Sequence, residues 1–172
     1  KAAPPSGSAF LVYPRDERLK DKPACRMTPT PALWHRRFQQ QSAWSRPTRR
    51  YLLSRLKLQS GSRLLEVGCG TGAIVSDLNH DPGYAHVSTF GIDLNPAFLS
   101  FAQGQDQAGR FTCGDALDLP FSQSAFDVAA CHYFLLWINH PETALAEMAR
   151  VTRPGGAVIA FAEPDYGGRI DY

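Results

Sequence analysis

The sequence has little of what announces redox, metal or membrane chemistry. It holds four cysteines in 172 residues, Cys25, Cys69, Cys113 and Cys131, and none forms a C-x-x-C pair. That spacing argues against a disulfide framework, a zinc ribbon or a dithiol centre, and no metal site is expected. The four are expected to be small hydrophobes with free thiols, mostly in apolar strand or turn contexts. Such usage fits a reducing compartment and a cytoplasmic location. No apolar run approaches the roughly 18 residues of a membrane span, so no membrane role is expected. The chain lacks the basic-then-apolar opening of a secretory leader. It begins at Lys1 rather than Met, which points to a start that is not native. Internal repeats and low-complexity tracts are missing too.

What is present suits one domain with a real core: 44% of residues are apolar. Net charge is only +2, yet the charges are segregated. Up to Arg63 there are fourteen Lys and Arg against three acids, Asp16, Glu17 and Asp21; beyond it, four Lys and Arg face thirteen acids. The simple reading is a basic N-terminal layer packed on an acidic body. The sharper one is an anion-facing surface for a phosphate-bearing or nucleic-acid substrate.

Residues 1–30, rich in Pro, Ser, Ala and charge, read as an irregular arm. Residues 31–60 read as two helices: Leu33, Trp34, Phe38 and Trp44 mark the first, and Pro47 opens a second with Tyr51, Leu52, Leu53 and Leu56 as its apolar face. Residues 61–172 then alternate. Strands are expected over 63–67, 87–92, 110–113, 126–133 and 157–162, with helices over 72–78, 96–105 and 141–152. Strands this continuously apolar are buried on both faces, as in a parallel sheet. The alternation predicts an α/β fold, a Rossmann-like three-layer αβα sandwich.

The chemistry starts at Leu64-Leu65-Glu66-Val67-Gly68-Cys69-Gly70-Thr71-Gly72, a strand running into a glycine-rich turn that opens a helix. Glycine permits the sharp turn and leaves no Cβ in a ligand's way, and the helix start offers free N–H groups. Asp93 ends the second strand about 25 residues after Gly68, near the ~20 expected for an acid that grips ribose hydroxyls. Gly68-x-Gly70-x-x-Ala73 also satisfies the dinucleotide pattern, so this region alone fits two cofactor classes.

Four pieces in order decide between them. They are Glu66 to Gly72, Asp93, Gly114-Asp115-Ala116 with Leu119-Pro120-Phe121, and Phe126-Asp127-Val128; Arg150-Val151-Thr152-Arg153-Pro154-Gly155-Gly156 follows. Over roughly residues 45 to 165 the sequence resembles the class I S-adenosylmethionine-dependent methyltransferases, in particular the small-molecule branch called methyltransferase type 11. The resemblance implies S-adenosyl-L-methionine as cofactor. Glu66, Gly68, Cys69, Gly70 and Gly72 would line its methionine part. Asp93 would hold the ribose, Leu94 would pack on adenine, Asp115 and Ala116 would address the ring, and Cys131 and His132 would lie near the sulfonium. In the plainer alternative Asp115 caps a turn and Cys131 is core. Arg37, Gln40, Gln41 and Trp44 are weak candidates for a helix that covers the cofactor.

No catalytic residue is fixed by the sequence. His132, Tyr133 and Tyr166 are weak candidates for a general base, as are Glu163 and Asp165, and each is as well suited to a structural hydrogen bond. The run Cys131-His132-Tyr133-Phe134 lacks the Asn/Asp-Pro-Pro-Tyr/Phe signature of base amino methylation. A small-molecule acceptor is therefore expected, with nucleic acid the minor possibility. The resemblance implies seven strands, so the sheet is expected to be truncated after the fifth. Its exposed edge is then expected to be covered by the N-terminal arm or by another copy in a homo-oligomer. A non-catalytic S-adenosylmethionine-binding module, an RNA methyltransferase and an NAD-dependent oxidoreductase remain alternatives.

Overall fold

Every predicted strand from Arg63 onward forms, and all of them join one parallel sheet in the order β3-β2-β1-β4-β5. The computed structural model describes residues 30–163, so the arm over 1–30, apart from Thr30, and the candidates Asp165 and Tyr166 lie outside the described residues. The elements are α1 (Pro31–Arg55), β1 (Arg63–Val67), α2 (Ala73–Asn79), β2 (Ser88–Asp93), α3 (Pro96–Gln105), β3 (Arg110–Cys113), β4 (Phe126–His132), α4 (Pro141–Val151) and β5 (Thr152–Phe161).

Alternation along the central strands builds the three layers. Leu65 and Val67 of β1, with Ala129 and Cys131 of β4, pack against Met148 and Val151 of α4. Their neighbours Leu64, Val128 and Ala130 pack on the opposite face with Leu53 of α1 and Ile74 and Leu78 of α2. Each such fully buried aliphatic side chain contributes about 1.5–3 kcal/mol. The chain leaves β1 in one direction through α2 to β2 and later returns to β4 on its other side, which makes β1/β4 the switch point where ligands bind in such sheets.

Several boundaries differ from the sequence reading, and three of the differences have a visible cause. The two expected N-terminal helices are one, with Pro47 inside it. Pro47 withdraws the N–H that would reach the Ala43 carbonyl. The turn is held from outside: Arg46 and Arg49, on either side of Pro47, both bind Asp77 of α2. β4 stops at His132 because Tyr133 adopts φ 49°. β5 begins at Thr152, five residues before the expected start, because Thr152 already pairs with Phe126. The ladder resumes at Val128↔Ala157 after an irregularity that contains Gly155 at φ 76°.

The face that α1 buries also differs. The sequence reading put Trp44 and Tyr51 on it, yet they are 64% and 63% exposed. The buried residues are His35, Ser42, Ser45, Arg49 and Leu53. Together with the ion pairs Arg46–Asp77, Arg49–Asp77 and Arg50–Asp81, the last at 3.3 Å, this spends part of the basic N-terminal charge on acids of the body. Among the cysteines, Cys69 and Cys131 are buried, whereas Cys113 is exposed at the end of an edge strand.

Candidate functional site

Strand register assembles the site. Val67, the last residue of β1, pairs with Ile92 on one side and Cys131 on the other. The next residues along, Gly68, Asp93 and His132, therefore stand side by side. β3 extends the row, since Asp93 pairs with Cys113, one residue before Gly114-Asp115.

The glycine loop has its shape fixed by β2. The N–H groups of Gly68 and Cys69 both donate to the Ile92 carbonyl, at 2.9 and 3.0 Å, and that of Gly70 donates to Asp93 Oδ2 at 2.8 Å. Gly68, Gly70 and Gly72 have φ of 71°, 54° and 72°, the left-handed region where a Cβ is strained. Three rings lie against the loop: a Cβ on Gly68 would overlap the Phe134 ring, one on Gly70 would come within 2.9 Å of Phe38, and one on Gly72 within 2.8 Å of Phe111. Cys69 is buried and packs with Val75 and Leu99. Thr71, also buried, shares a 2.9 Å hydrogen bond with Nδ1 of His35.

The carboxylates differ in what they already bind. Asp93 Oδ1 accepts from the Asn95 N–H at 2.9 Å, so each oxygen carries one backbone donor and retains capacity for a further one. Burial raises its pKa against the pull of those amides. Glu66 is 5% exposed. Its pKa is pushed up to about 8, first by burial, with Arg49 opposing, and its Oε2 has no hydrogen-bond partner among the described residues. Arg49 Nε and His132 Nε2 are likewise unpartnered. All three residues border one small cavity under β1 and β4. Asp115 is exposed and caps its own turn, Oδ1 accepting from Leu117 N–H at 2.9 Å; its other oxygen has no protein donor among the described residues. Ala116 packs against the core on the α4 side, and Leu94 is 67% exposed. Glu147 and Arg150 of α4 clamp the Leu119-Pro120-Phe121 turn: Glu147 accepts from Leu119 N–H, and Arg150 donates to the carbonyls of Leu119 and Phe121.

Beyond β4 the base candidates separate. His132 stacks edge-on with Tyr133, centroids 4.7 Å apart, and burial lowers its pKa to about 4. Burial and nearby Glu163 push the Cys131 thiol well up. Glu163 accepts a backbone amide at each oxygen, at 2.7 and 3.1 Å, the arrangement of a structural hydrogen-bond acceptor. Arg37 lies over the Trp34 ring at 5.3 Å, and Gln40 and Trp44 are exposed. The residues of α1 that do reach the site are His35, Phe38 and Arg49. The sequence reading missed all three as site residues; the polar spacing His35, Ser42, Ser45, Arg49 down one helical face was the available signal.

Residues 65–160 match a family described as "Methyltransferase domain". A demethylmenaquinone methyltransferase of Renibacterium salmoninarum is 34% identical over 125 residues, covering 72% of this chain and 51% of that protein. The chain thus spans about half the length of that curated relative. The structure of the 4+2 cyclase SpnF superposes with a TM-score of 0.53 at 33% identity, over 59% of this chain and 39% of that one. Phosphoethanolamine N-methyltransferase 2 of Haemonchus contortus, solved with phosphomonomethylethanolamine and S-adenosylhomocysteine, shares the fold with a TM-score of 0.54 at 24% identity, covering 62% of this chain and 26% of that one.

Proposed function

The chain belongs to the methyltransferase-domain family, and from that premise we propose that it binds S-adenosyl-L-methionine at the strand ends and passes the methyl group to a small-molecule acceptor. The observation that carries this is the register that brings the glycine loop beside Asp93 and the turn of Asp115 just past β3, with Glu66 one residue inside the end of β1. The residues suit the cofactor. Glu66, with its unpartnered buried oxygen, is the acceptor for an ammonium. Asp93 retains capacity at both oxygens for a ribose diol, and Asp115 keeps an oxygen for an exocyclic amine. Leu94 offers an apolar surface to the ring.

The cofactor, when bound, supplies a methyl already activated by its sulfonium. The chain's own task is to hold an acceptor in line and to exclude water. A base is optional and depends on the acceptor's acidity. His132, with its pKa near 4, is neutral at pH 7 and poorly matched to take a proton there. Cys131 stays protonated. Transfer by positioning is the mechanism these residues support. The named relatives act on unlike molecules, so the acceptor is assigned only as small and organic. The cyclase likeness favours a second reading, a cofactor-binding protein that catalyses a different reaction. The buried thiols of Cys69 and Cys131 support a cytoplasmic setting.

Calorimetry on the full-length protein tests the proposal. S-adenosylmethionine and S-adenosylhomocysteine are expected to bind with dissociation constants between about 1 μM and 1 mM, the usual range for enzyme substrates. Gly68→Ala, which drives a Cβ into Phe134, is expected to abolish binding. Gly61→Ala, at φ 85° with nothing within 4 Å, should cost about 1–2 kcal/mol of stability and leave binding intact. No heat with either ligand would sink the proposal. Binding without methyl transfer to any acceptor would favour the second reading.

A further inference from the structure

Glu163 follows β5 and reaches back to the exit of β4. Its Oε1 accepts from the Phe134 N–H at 2.7 Å, and Oε2 accepts from the Leu135 N–H at 3.1 Å. The Cys131 thiol lies 3.7 Å from Oε1. One carboxylate thus takes two consecutive amides at the start of the 3-10 turn Leu135–Trp137, which has no side-chain cap of its own. Hydrogen bonds to a charged acceptor are the strong kind. The backbone just before them is strained, because Tyr133 holds φ 49° without being glycine. What this turn presents is the Phe134 ring, lying in the space a Cβ on Gly68 would fill.

We propose that Glu163 is a positioning residue of the cofactor site. By pinning the amides of Phe134 and Leu135 it seats the Phe134 ring on Gly68 and so walls the end of the glycine loop where the methionine part of the cofactor lies. The inference rests on the S-adenosylmethionine reading above. It also gives the chain just past β5 a part in forming the site.

The test titrates S-adenosylhomocysteine into the full-length protein and into Glu163→Ala, Glu163→Gln and Phe134→Leu, at a temperature where circular dichroism shows each folded. Glu163→Ala is expected to weaken binding by between about tenfold and about 100-fold, the scale of a displaced site wall. Glu163→Gln, which keeps one acceptor and replaces the other with a donor, falls between it and wild type. Phe134→Leu shows a similar loss, and the double variant is no weaker than the weaker single variant, because both changes remove the same contact. A purely structural Glu163 would lower the melting temperature without moving the dissociation constant. Folded Glu163→Ala that binds within about twofold of wild type, or single losses that multiply in the double variant, overturn the proposal. If Glu163→Ala does not fold, Glu163→Gln and Phe134→Leu decide by the same criteria. A wild-type protein that binds no cofactor overturns the site reading and this proposal together; wild-type binding with indifferent variants overturns this proposal alone.

Discussion

Glu66 shows how much chemistry one position can hold. It lies on the β1 face turned toward α1 and α2, flanked in sequence by Leu65 and Val67 on the other face. Its side chain therefore sits among apolar neighbours with Arg49 as the charge that offsets burial. The folded-state pKa, about 8 against an ordinary 4.5, sets the sign of its effect on stability. Between those values the folded chain holds a proton that the unfolded chain has lost, so the contribution of Glu66 to stability is greatest below about 4.5 and is lost as pH rises through about 8. Glu66→Gln should remove this slope. Urea unfolding at about pH 5 and about pH 9 is expected to show the variant gaining on wild type by a few kcal/mol at the higher pH. An unchanged difference would show that Glu66 ionises normally. The sequence made Glu66 legible through the glycine motif beside it. Arg49 was illegible, because one arginine among fourteen basic residues carries no mark of being the buried one.

Among the elements, α1 is where local sequence misled. Pro47 after Trp44-Ser45-Arg46 reads as a helix start, since proline suits a first turn. It sits instead inside a helix of 25 residues. The override is tertiary: the two arginines flanking the proline converge on Asp77, thirty residues on in the chain. Pro47→Ala separates the two descriptions. In a continuous helix it restores a backbone hydrogen bond and is expected to stabilise the protein by up to about 3 kcal/mol. At the start of a second helix it would be neutral or destabilising. Chemical denaturation reads the sign directly. Helix α1 docks through His35–Thr71 and the Asp77 cluster as well as through Leu53, and an apolar-stripe search does not see the polar part of that face.

For the whole molecule, the outer edge of β5 is the feature that calls for a partner. Among the described residues β5 pairs only with β4, and Val158 on it is 38% exposed. An unpaired strand edge is a template for further pairing. The expected partner is the N-terminal arm or a second copy, as in a homo-oligomer. Hydrogen exchange on the full-length protein should find β1 and β4 amides slowest. The β5 amides that point away from β4 should be protected as well. Rapid exchange at those amides in an otherwise protected sheet would show a bare edge.

The strands, the glycine turn and Asp93 followed from sequence alone because each is local. Continuous apolar runs specify buried parallel strands wherever they are placed, and glycines specify left-handed turns. Tertiary structure decided what depends on distant partners. It chose which arginine is buried and let α1 run through its proline. It gave Glu163 two amide donors beyond the end of β4. Those outcomes depend on which charge finds which donor in three dimensions, and no spacing along the chain encodes that.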